Sequence, residues 1–207
     1  MFVQKDVGTG TSEQKIQSLV VFGYDVSVAI FVSSSEPMTQ HVNPSRATQI
    51  ELRPVTESDL PILFDHQRDP ELSEMTAFPA QGRDAFMAHW TKILCNASVV
   101  AMTVVVNRCV AGNVGCWTKD GQRRVGYWIA REHWGKGVAT QMLTMFLRLV
   151  SERPLHAHVA GRNSASIRVL EKCGFSLRTK TTGALGEPAD GIEELIYVID
   201  TTSAGDA

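Results

Sequence analysis

Residues 134–140 constrain the fold of this chain more than any other stretch. They run Trp-Gly-Lys-Gly-Val-Ala-Thr and lie between a strand-like run and a long apolar run. A glycine-containing turn that leads into a helix leaves the first backbone N–H groups of that helix without acceptors. Those groups and the positive end of the helix dipole bind phosphate, and glycine lets a ligand approach the backbone closely. The turn therefore predicts a pyrophosphate site at the start of a helix.

Two common phosphate-binding turns do not fit this stretch. A P-loop requires Gly-x-x-x-x-Gly-Lys-Ser/Thr, but here the lysine stands between two glycines and Val138 follows Gly137. A dinucleotide fingerprint requires Gly-x-Gly-x-x-Gly after the first strand of a parallel unit, but its third glycine position is Thr140. Three predicted antiparallel strands also precede the turn. A third class of phosphate turn is needed.

Apolar periodicity and turn residues predict the element order βααβββαβαββ for residues 50–207. Strands are predicted at 50–54, 98–106, 109–118, 123–130, 155–160, 175–180 and 192–199. Two helices are predicted to begin after the N-caps Thr56 and Asn163. A third helix is predicted over 82–96, and a fourth, largely buried helix begins at Val138. The order predicts one α/β (α+β) domain, with a sheet of about seven strands and about four helices.

Residues 1–49 differ from the rest of the chain. One apolar run is flanked by sequence rich in Ser, Thr and Gln, and Met38 follows the polar segment. One hypothesis is that Met38 is the natural start and that residues 1–49 form an extension that is disordered or not native. The alternative is an extra strand or a partner-binding arm.

The charge distribution argues against a nucleic-acid-binding protein. The net charge is −2, yet residues 121–180 hold 11 of the 20 Lys and Arg residues and 3 of the 22 Asp and Glu residues. This basic block contains the phosphate turn and suits a polyanionic ligand. The apolar run near residue 25 is too short for a membrane helix. The four scattered cysteines favour reduced thiols and a cytoplasmic location. His156 and His158 have no third ligand, so no metal site is predicted.

Three stretches together carry a resemblance to a known family. They are Val125-Gly-Tyr-Trp-Ile129, Trp134-Gly-Lys-Gly-Val-Ala-Thr140, and Asn163-Ser-Ala-Ser-Ile-Arg-Val-Leu-Glu-Lys-Cys-Gly-Phe175. In this order and spacing they resemble the GNAT superfamily of acetyl-CoA-dependent N-acetyltransferases. Within it, the chain looks most like the branch of the ribosomal-protein-alanine acetyltransferases. The resemblance covers roughly residues 50–200 and implies the GNAT fold, with a mixed central sheet.

The resemblance implies a set of residues that bind acetyl-CoA. The backbone of Ile129 and Arg131 would pair with the pantetheine arm like an extra strand. Asn163 would contact the same arm. Trp134 stands where most of the superfamily has Gln or Arg. The pyrophosphate would be held by backbone N–H groups of the turn, namely those of Gly135, Lys136, Gly137, Val138, Ala139 and Thr140.

The resemblance also implies direct attack of an amine on the acetyl thioester. The Ile129 N–H would polarise the thioester carbonyl, and Ser166 would serve the leaving thiolate. The local alternative is that Ser166 is only the N3 residue of a capped helix. Arg124 stands where many relatives have a catalytic Glu, and Leu170 stands where many have a Tyr. The candidates to replace the missing base are Glu132, Glu74, His133 and His158.

Two classes of function follow from these residues. The first is an N-acetyltransferase whose acceptor is a primary amine, either a protein N-terminus or a small molecule. The alternative is a module that binds acyl-CoA without turnover, as a sensor or partner domain, which the absent Glu and Tyr favour. Transfer of a larger acidic acyl group is a third interpretation. The resemblance also allows a homodimer.

Overall fold

One sheet with helices on both faces contains all the strands that the structure describes. The computed structural model describes residues 48–68, 82–182 and 193–200. Its strands are β1 (Ile50–Pro54), β2 (Val100–Val106), β3 (Cys109–Lys119), β4 (Gln122–Ile129), β5 (Leu155–Ala160), β6 (Ser176–Thr182) and β7 (Glu193–Ile199). The α-helices in these ranges are α1 (Leu60–Gln67), α2 (Arg83–Leu94), α3 (Val138–Leu149) and α4 (Ser164–Lys172). The predicted element order is confirmed.

The seven strands lie in the order β1-β2-β3-β4-β5-β7-β6. Neighbouring strands are antiparallel, except for β4 and β5, which are parallel. The predicted mixed sheet of seven strands with four flanking helices is thereby confirmed. Since parallel strands end at the same edge of a sheet, the segments that follow β4 and β5 lie close together.

The strands β4 and β5 pair at one position and then diverge. Their register consists of Arg124 opposite His156, whereas β4 stays paired with β3 up to Ile129. The Ala130 N–H donates to the Ala111 carbonyl on β3 at 2.8 Å. Because successive strand residues point their N–H and C=O groups to alternate sides, Tyr127 and Ile129 point theirs toward β5. We refer to the space between β4 and β5 beyond Arg124 and His156 as the β4–β5 gap.

The main hydrophobic core lies between the sheet and the two later helices, α3 and α4. Val138, Met142 and Phe146 supply the buried stripe of α3, the helix predicted to be largely buried. Ala157 and Val159 of β5 point into the same core. The residues at the alternating positions of β4 and β5 therefore point to the opposite face of the sheet.

The helices α1 and α2 pack around a second, smaller core. Its buried residues are Val55, Leu60, Leu63, Phe64, Phe86 and Trp90. The aromatic rings of Phe64 and Phe86 meet at a tilted angle, with centroids 5.3 Å apart. Ala101 and Val110 of the sheet pack against this cluster. The first two helices thus cover the face of β2 and β3 that lies opposite the main core.

A buried carboxylate fixes the junction between β1 and α1. Asp59 accepts hydrogen bonds from Arg53 at 2.6 and 2.7 Å and from the Thr103 hydroxyl at 2.8 Å. It also accepts from the N–H of Thr56, the predicted N-cap residue, at 2.9 Å. The Arg53 guanidinium lowers the pKa of Asp59 far below its usual value.

Several predictions fall on residues outside the described ranges. These include the N-terminal extension at residues 1–49, apart from 48 and 49, and its alternative start at Met38. The candidate base Glu74 also lies outside them. In the described ranges, no helix combines the length and apolarity needed to cross a bilayer.

Candidate active site

The turn that follows β4 has the backbone geometry of an anion site. Gly135 and Gly137 have positive φ angles of 69° and 76°, which glycine adopts without the strain that a Cβ would add. Gly137 is the N-cap of α3, and no side chain caps the helix there. The first helical hydrogen bond runs from the Gln141 N–H to the Gly137 carbonyl at 3.1 Å. The N–H groups of the three residues between them therefore lack acceptors within the helix.

The turn is open to solvent, while the helix that it begins is anchored in the core. Gly135, Lys136 and Gly137 are exposed, whereas Val138 is buried. Ala139 and Thr140 are half-buried on the first turn of α3. The helix dipole and the Lys136 ammonium give this position a positive potential. The arrangement can bind a pyrophosphate through the backbone without moving the helix.

Trp134 ties this turn to the end of β4. Its indole Nε1–H donates to the Ile129 carbonyl at 2.7 Å, and its ring is half-buried against the main core. The Ile129 carbonyl points toward β5. Trp134, which donates to this carbonyl, therefore lies at the open end of the β4–β5 gap. The Ile129 N–H points into the same gap. A pantetheine arm placed there would extend the sheet from β4, which is the arrangement that the resemblance implies.

Asn163 marks the other side of the gap, at the end of β5. Its backbone N–H donates to the Ala160 carbonyl at 2.8 Å. Its side-chain Oδ1 accepts from the Ser166 N–H at 3.1 Å, which confirms the predicted N-cap of α4. Its Nδ2 is buried and has no hydrogen-bond partner among the described residues. Because a buried amide donor without a partner is costly, a bound acceptor at this position would stabilise the site.

Ser166 is buried on the first turn of α4, and its hydroxyl lies 3.5 Å from the Tyr127 hydroxyl. That distance is at the long limit for a hydrogen bond between hydroxyls. Burial raises the pKa of Tyr127 far above its usual value, so its hydroxyl stays protonated. Leu170, where many relatives carry a tyrosine, is buried in the main core. Tyr127 therefore supplies a phenol beside Ser166 from β4 rather than from α4.

Glu132 and Arg131 lie on an exposed 3₁₀ turn between β4 and the phosphate turn. The Glu132 carboxylate is 3.9 Å from His133 Nε2. Burial lowers the pKa of His133 and Lys136 adds to this effect, although Glu132 opposes it. Burial also lowers the pKa of His66 at the end of α1. The charge of Glu132 opposes this shift, and that of His133 adds to it. The predicted base Glu132 is thus at the entrance to the gap, on the solvent side.

Arg124 occupies the β4 position where many relatives have a glutamate. The residue is buried, and its guanidinium lies 3.7 Å from the Asp120 carboxylate. It is adjacent to His156 in the one β4–β5 pair. His156 is half-buried and His158 is buried, although both belong to the same face of β5. His158 Nδ1 is 2.7 Å from a carboxylate oxygen of Glu194 on β7.

Glu194 is the residue of this region that the sequence did not single out. It follows Glu193 at the start of β7, before a run of apolar and aromatic residues, and it is fully buried. The sequence shows only a glutamate in the last strand, and it does not indicate which side chain the glutamate contacts. Within the described ranges, no group of three or more metal-ligating side chains occurs. The four cysteines are all unpaired.

A family model for the acetyltransferase (GNAT) domain matches residues 49–176, which is more than half of the chain. The chain belongs to the GNAT acetyltransferase family. The predicted superfamily is thereby confirmed, and the phosphate turn, the β4–β5 gap and Asn163 all lie within the match. No curated protein sequence matches this GNAT acetyltransferase significantly.

Solved structures share the fold of this GNAT acetyltransferase at low sequence identity. Spermidine N-acetyltransferase from Vibrio cholerae, solved with CoA and spermine, is 17% identical at a TM-score of 0.65, with 74% of this chain and 96% of that chain covered. A ribosomal L7/L12 alpha-N-protein acetyltransferase, solved with CoA, is 19% identical at a TM-score of 0.64, with 76% and 97% covered. An aminoglycoside acetyltransferase, also solved with CoA, is 19% identical at a TM-score of 0.61, with 73% and 95% covered.

Proposed function

We propose that this GNAT acetyltransferase moves an acetyl group from acetyl-CoA to a primary amine by direct attack. The observation that carries the proposal is the β4–β5 gap, which opens beside a phosphate turn with two left-handed glycines. A pyrophosphate at the N-terminus of α3 directs the attached pantetheine arm along the end of β4. There the arm meets the backbone of Ile129 and Arg131 on one side and the Asn163 amide on the other.

The proposed chemistry uses groups at the gap. The Ile129 N–H donates to the thioester carbonyl and stabilises the oxyanion that develops as the amine attacks. The C–N bond forms, the C–S bond breaks, and the thiolate of CoA leaves. We assign the proton donor for that thiolate to Ser166, whose hydroxyl lies beside the protonated phenol of Tyr127. A base at the gap must also accept a proton from the incoming ammonium, and the candidates for it are Glu132, Glu74, His133 and His158.

The class of acceptor is an amine, and the three structural neighbours support this choice. By their names, they act on spermidine, on an aminoglycoside and on the N-terminal amine of a ribosomal protein. The resemblance to the ribosomal-protein-alanine branch favours the N-terminus of a protein. The cytoplasmic location and the homodimer stay predictions.

A second candidate function rests on a specific observation. Arg124 and Leu170 stand at the positions where many relatives have the catalytic Glu and Tyr, and both are buried. A domain with these residues could bind acyl-CoA without turnover, as a sensor or partner module.

Thiol release tests the two functions against each other. Purified protein is first titrated with acetyl-CoA by calorimetry, and then mixed with acetyl-CoA and a panel of spermidine, an aminoglycoside and N-terminal peptides. We expect binding together with amine-dependent release of CoA thiol above the amine-free control. Binding without release for every amine would support the sensor, and the absence of binding would refute both functions.

A further inference from the structure

A buried histidine and a buried glutamate form a pair on neighbouring strands of the sheet. His158 Nδ1 lies 2.7 Å from Glu194 Oε1, and the two side chains are 7% and 0% exposed. The β5–β7 register places Ala160 opposite Glu194 and His158 opposite Ile196. The histidine and the glutamate are therefore diagonal neighbours on one face of the sheet.

The hydrogen bond determines which nitrogen of the imidazole is basic. If Glu194 is a carboxylate, which only accepts hydrogen bonds, Nδ1 is the donor in this contact, and a neutral imidazole then carries its lone pair on Nε2. His158 Nε2 is buried and has no hydrogen-bond partner among the residues that the structure describes. The pair thus holds a basic nitrogen in a fixed orientation, away from bulk water.

His158 lies on the β5 side of the β4–β5 gap. His158 is two residues beyond His156, which forms the last pair with β4. Its flanking residues Ala157 and Val159 point into the main core, so His158 points to the opposite face. Continuing the β4–β5 register would place Gly126 across from it. Since glycine has no side chain, β4 leaves space next to the imidazole.

We propose that His158 is the general base of the acetyl transfer and that Glu194 positions it; this inference rests on the function proposed above. His158 Nε2 takes one proton from the attacking ammonium, and the nitrogen lone pair then forms the C–N bond to the thioester carbonyl carbon. The C–S bond breaks, the thiolate takes a proton from Ser166, and the Ser166 oxygen takes the second proton from the new amide nitrogen. The proton on His158 returns to solvent after the products leave, so each turnover releases one proton.

The charges around His158 are compatible with this role. In the part of the chain that the structure describes, strand pairing and hydrogen bonding place Arg124 of β4, His156 of its own strand and Glu194 of β7 near His158. Glu194 compensates the positive charge that the imidazole gains as it accepts the proton. His158 therefore takes over the task of the glutamate that Arg124 replaces, from the opposite side of the gap.

The variant His158→Asn separates catalysis from packing. The asparagine amide retains a donor near the position of Nδ1–H for Glu194, but it removes the basic Nε2. The matched control is His156→Asn, on the same face of the same strand, whose ring contacts the Arg123 carbonyl at 3.3 Å. With the amine that gives the fastest wild-type thiol release, we expect kcat to fall by about 100-fold or more in His158→Asn. The Kd for acetyl-CoA and the kcat of His156→Asn should stay near the wild-type values.

A second readout identifies the missing group chemically. The variant His158→Gly leaves a space beside Glu194, and added imidazole should restore part of its kcat while leaving Glu132→Gln unaffected. A merely structural pair would show no such rescue. For Glu194→Gln we expect a smaller loss of kcat than for His158→Asn, with KM for acetyl-CoA unchanged.

A measurement on the wild type is independent of whether any variant folds. Nitrogen-15 spectra of the protein with bound CoA should show His158 as the Nδ1–H tautomer at neutral pH. An Nε2–H tautomer would overturn the inference, as would wild-type kcat in His158→Asn together with a loss in Glu132→Gln. If the wild type releases no thiol with any amine, the proposed function itself fails; if it turns over and His158→Asn does too, only this inference fails.

Discussion

Replacing Gly137 with alanine tests whether the phosphate turn binds acetyl-CoA through its backbone. Gly137 has a φ of 76°, and a Cβ built there would meet Gln141 Nε2 at 4.0 Å, so the protein has room for the methyl group. The cost to stability is then the backbone strain of a left-handed alanine. That strain is about 1 kcal/mol of unfolding free energy, because an L-residue in this conformation brings its Cβ too close to a carbonyl oxygen.

Gly121 offers a control with the same strain in a different place. It lies in the turn between β3 and β4, has a φ of 75°, and a Cβ there would meet nothing within 4 Å. Gly121→Ala should therefore lose about the same 1 kcal/mol of unfolding free energy as Gly137→Ala. Urea unfolding of both variants measures this loss.

The two variants should differ in their affinity for acetyl-CoA. The backbone strain is present in the free and in the bound protein, so it cancels in the binding free energy. The N-cap residue lies directly beside the first N–H groups of α3, and a methyl group there keeps a pyrophosphate from approaching them. We expect the Kd of Gly137→Ala to rise at least about tenfold, or about 1.4 kcal/mol, and that of Gly121→Ala to stay unchanged. Calorimetric titrations that give both variants the wild-type Kd would refute the assignment of this turn.

Three further substitutions test other parts of the structure. Trp134→Phe removes the hydrogen bond to the Ile129 carbonyl and should cost about 1 kcal/mol of unfolding free energy and lower kcat, measured by urea unfolding and thiol release. Asp59→Asn should lower the free energy of unfolding by about 2 kcal/mol at neutral pH. Since the folded pKa of Asp59 is lowered, this difference is complete above the ordinary aspartate pKa of about 3.9 and declines as the pH falls through the folded pKa. Gly112→Ala places a Cβ 1.9 Å from the Trp128 carbonyl oxygen and should prevent folding or cost more than about 3 kcal/mol.

Each of these substitutions has an outcome that would contradict its reasoning. A Trp134→Phe variant with wild-type stability and kcat would show that the indole N–H has no role in placing Ile129. A stability difference for Asp59→Asn that is constant between neutral pH and about pH 3 would exclude the carboxylate as its source. For Gly112 the matched control is Gly82→Ala, where a Cβ meets nothing within 4 Å. Equal losses for Gly112→Ala and Gly82→Ala would show that the strands β3 and β4 can separate freely.

The parts of the fold that the sequence predicted correctly depend on local interactions. The turn at Gly135 and Gly137 and the start of α3 follow from residues within one helical turn of each other. Gly174 ends α4 with a φ of 89°, and the Phe175 N–H donates to the Leu170 carbonyl at 3.0 Å, which is the hydrogen bond of a glycine C-cap. The sequence also predicted β5 at Leu155–Ala160 with its observed bounds. Such features need only the propensities and hydrogen bonds of adjacent residues.

The identity of the catalytic groups was open in the sequence because it depends on neighbours in space. From the sequence, His158 is one of four candidate bases, and Glu194, which is 36 residues away, is not singled out. Periodicity reports which residues of a strand share a face, but it does not report which strand lies alongside. For the same reason, the sequence predicted Thr56 as an N-cap but not the contact of Asp59 with Thr103.

The sequence by itself determined the family, the order of the elements and the phosphate turn, because each is specified by residues close together in the chain. Only the tertiary structure decided that β7 lies between β5 and β6, that β4 and β5 part after one pair, and that Glu194 meets His158. These outcomes depend on how the apolar faces of the sheet and helices are buried together, and that packing joins residues that no local pattern connects.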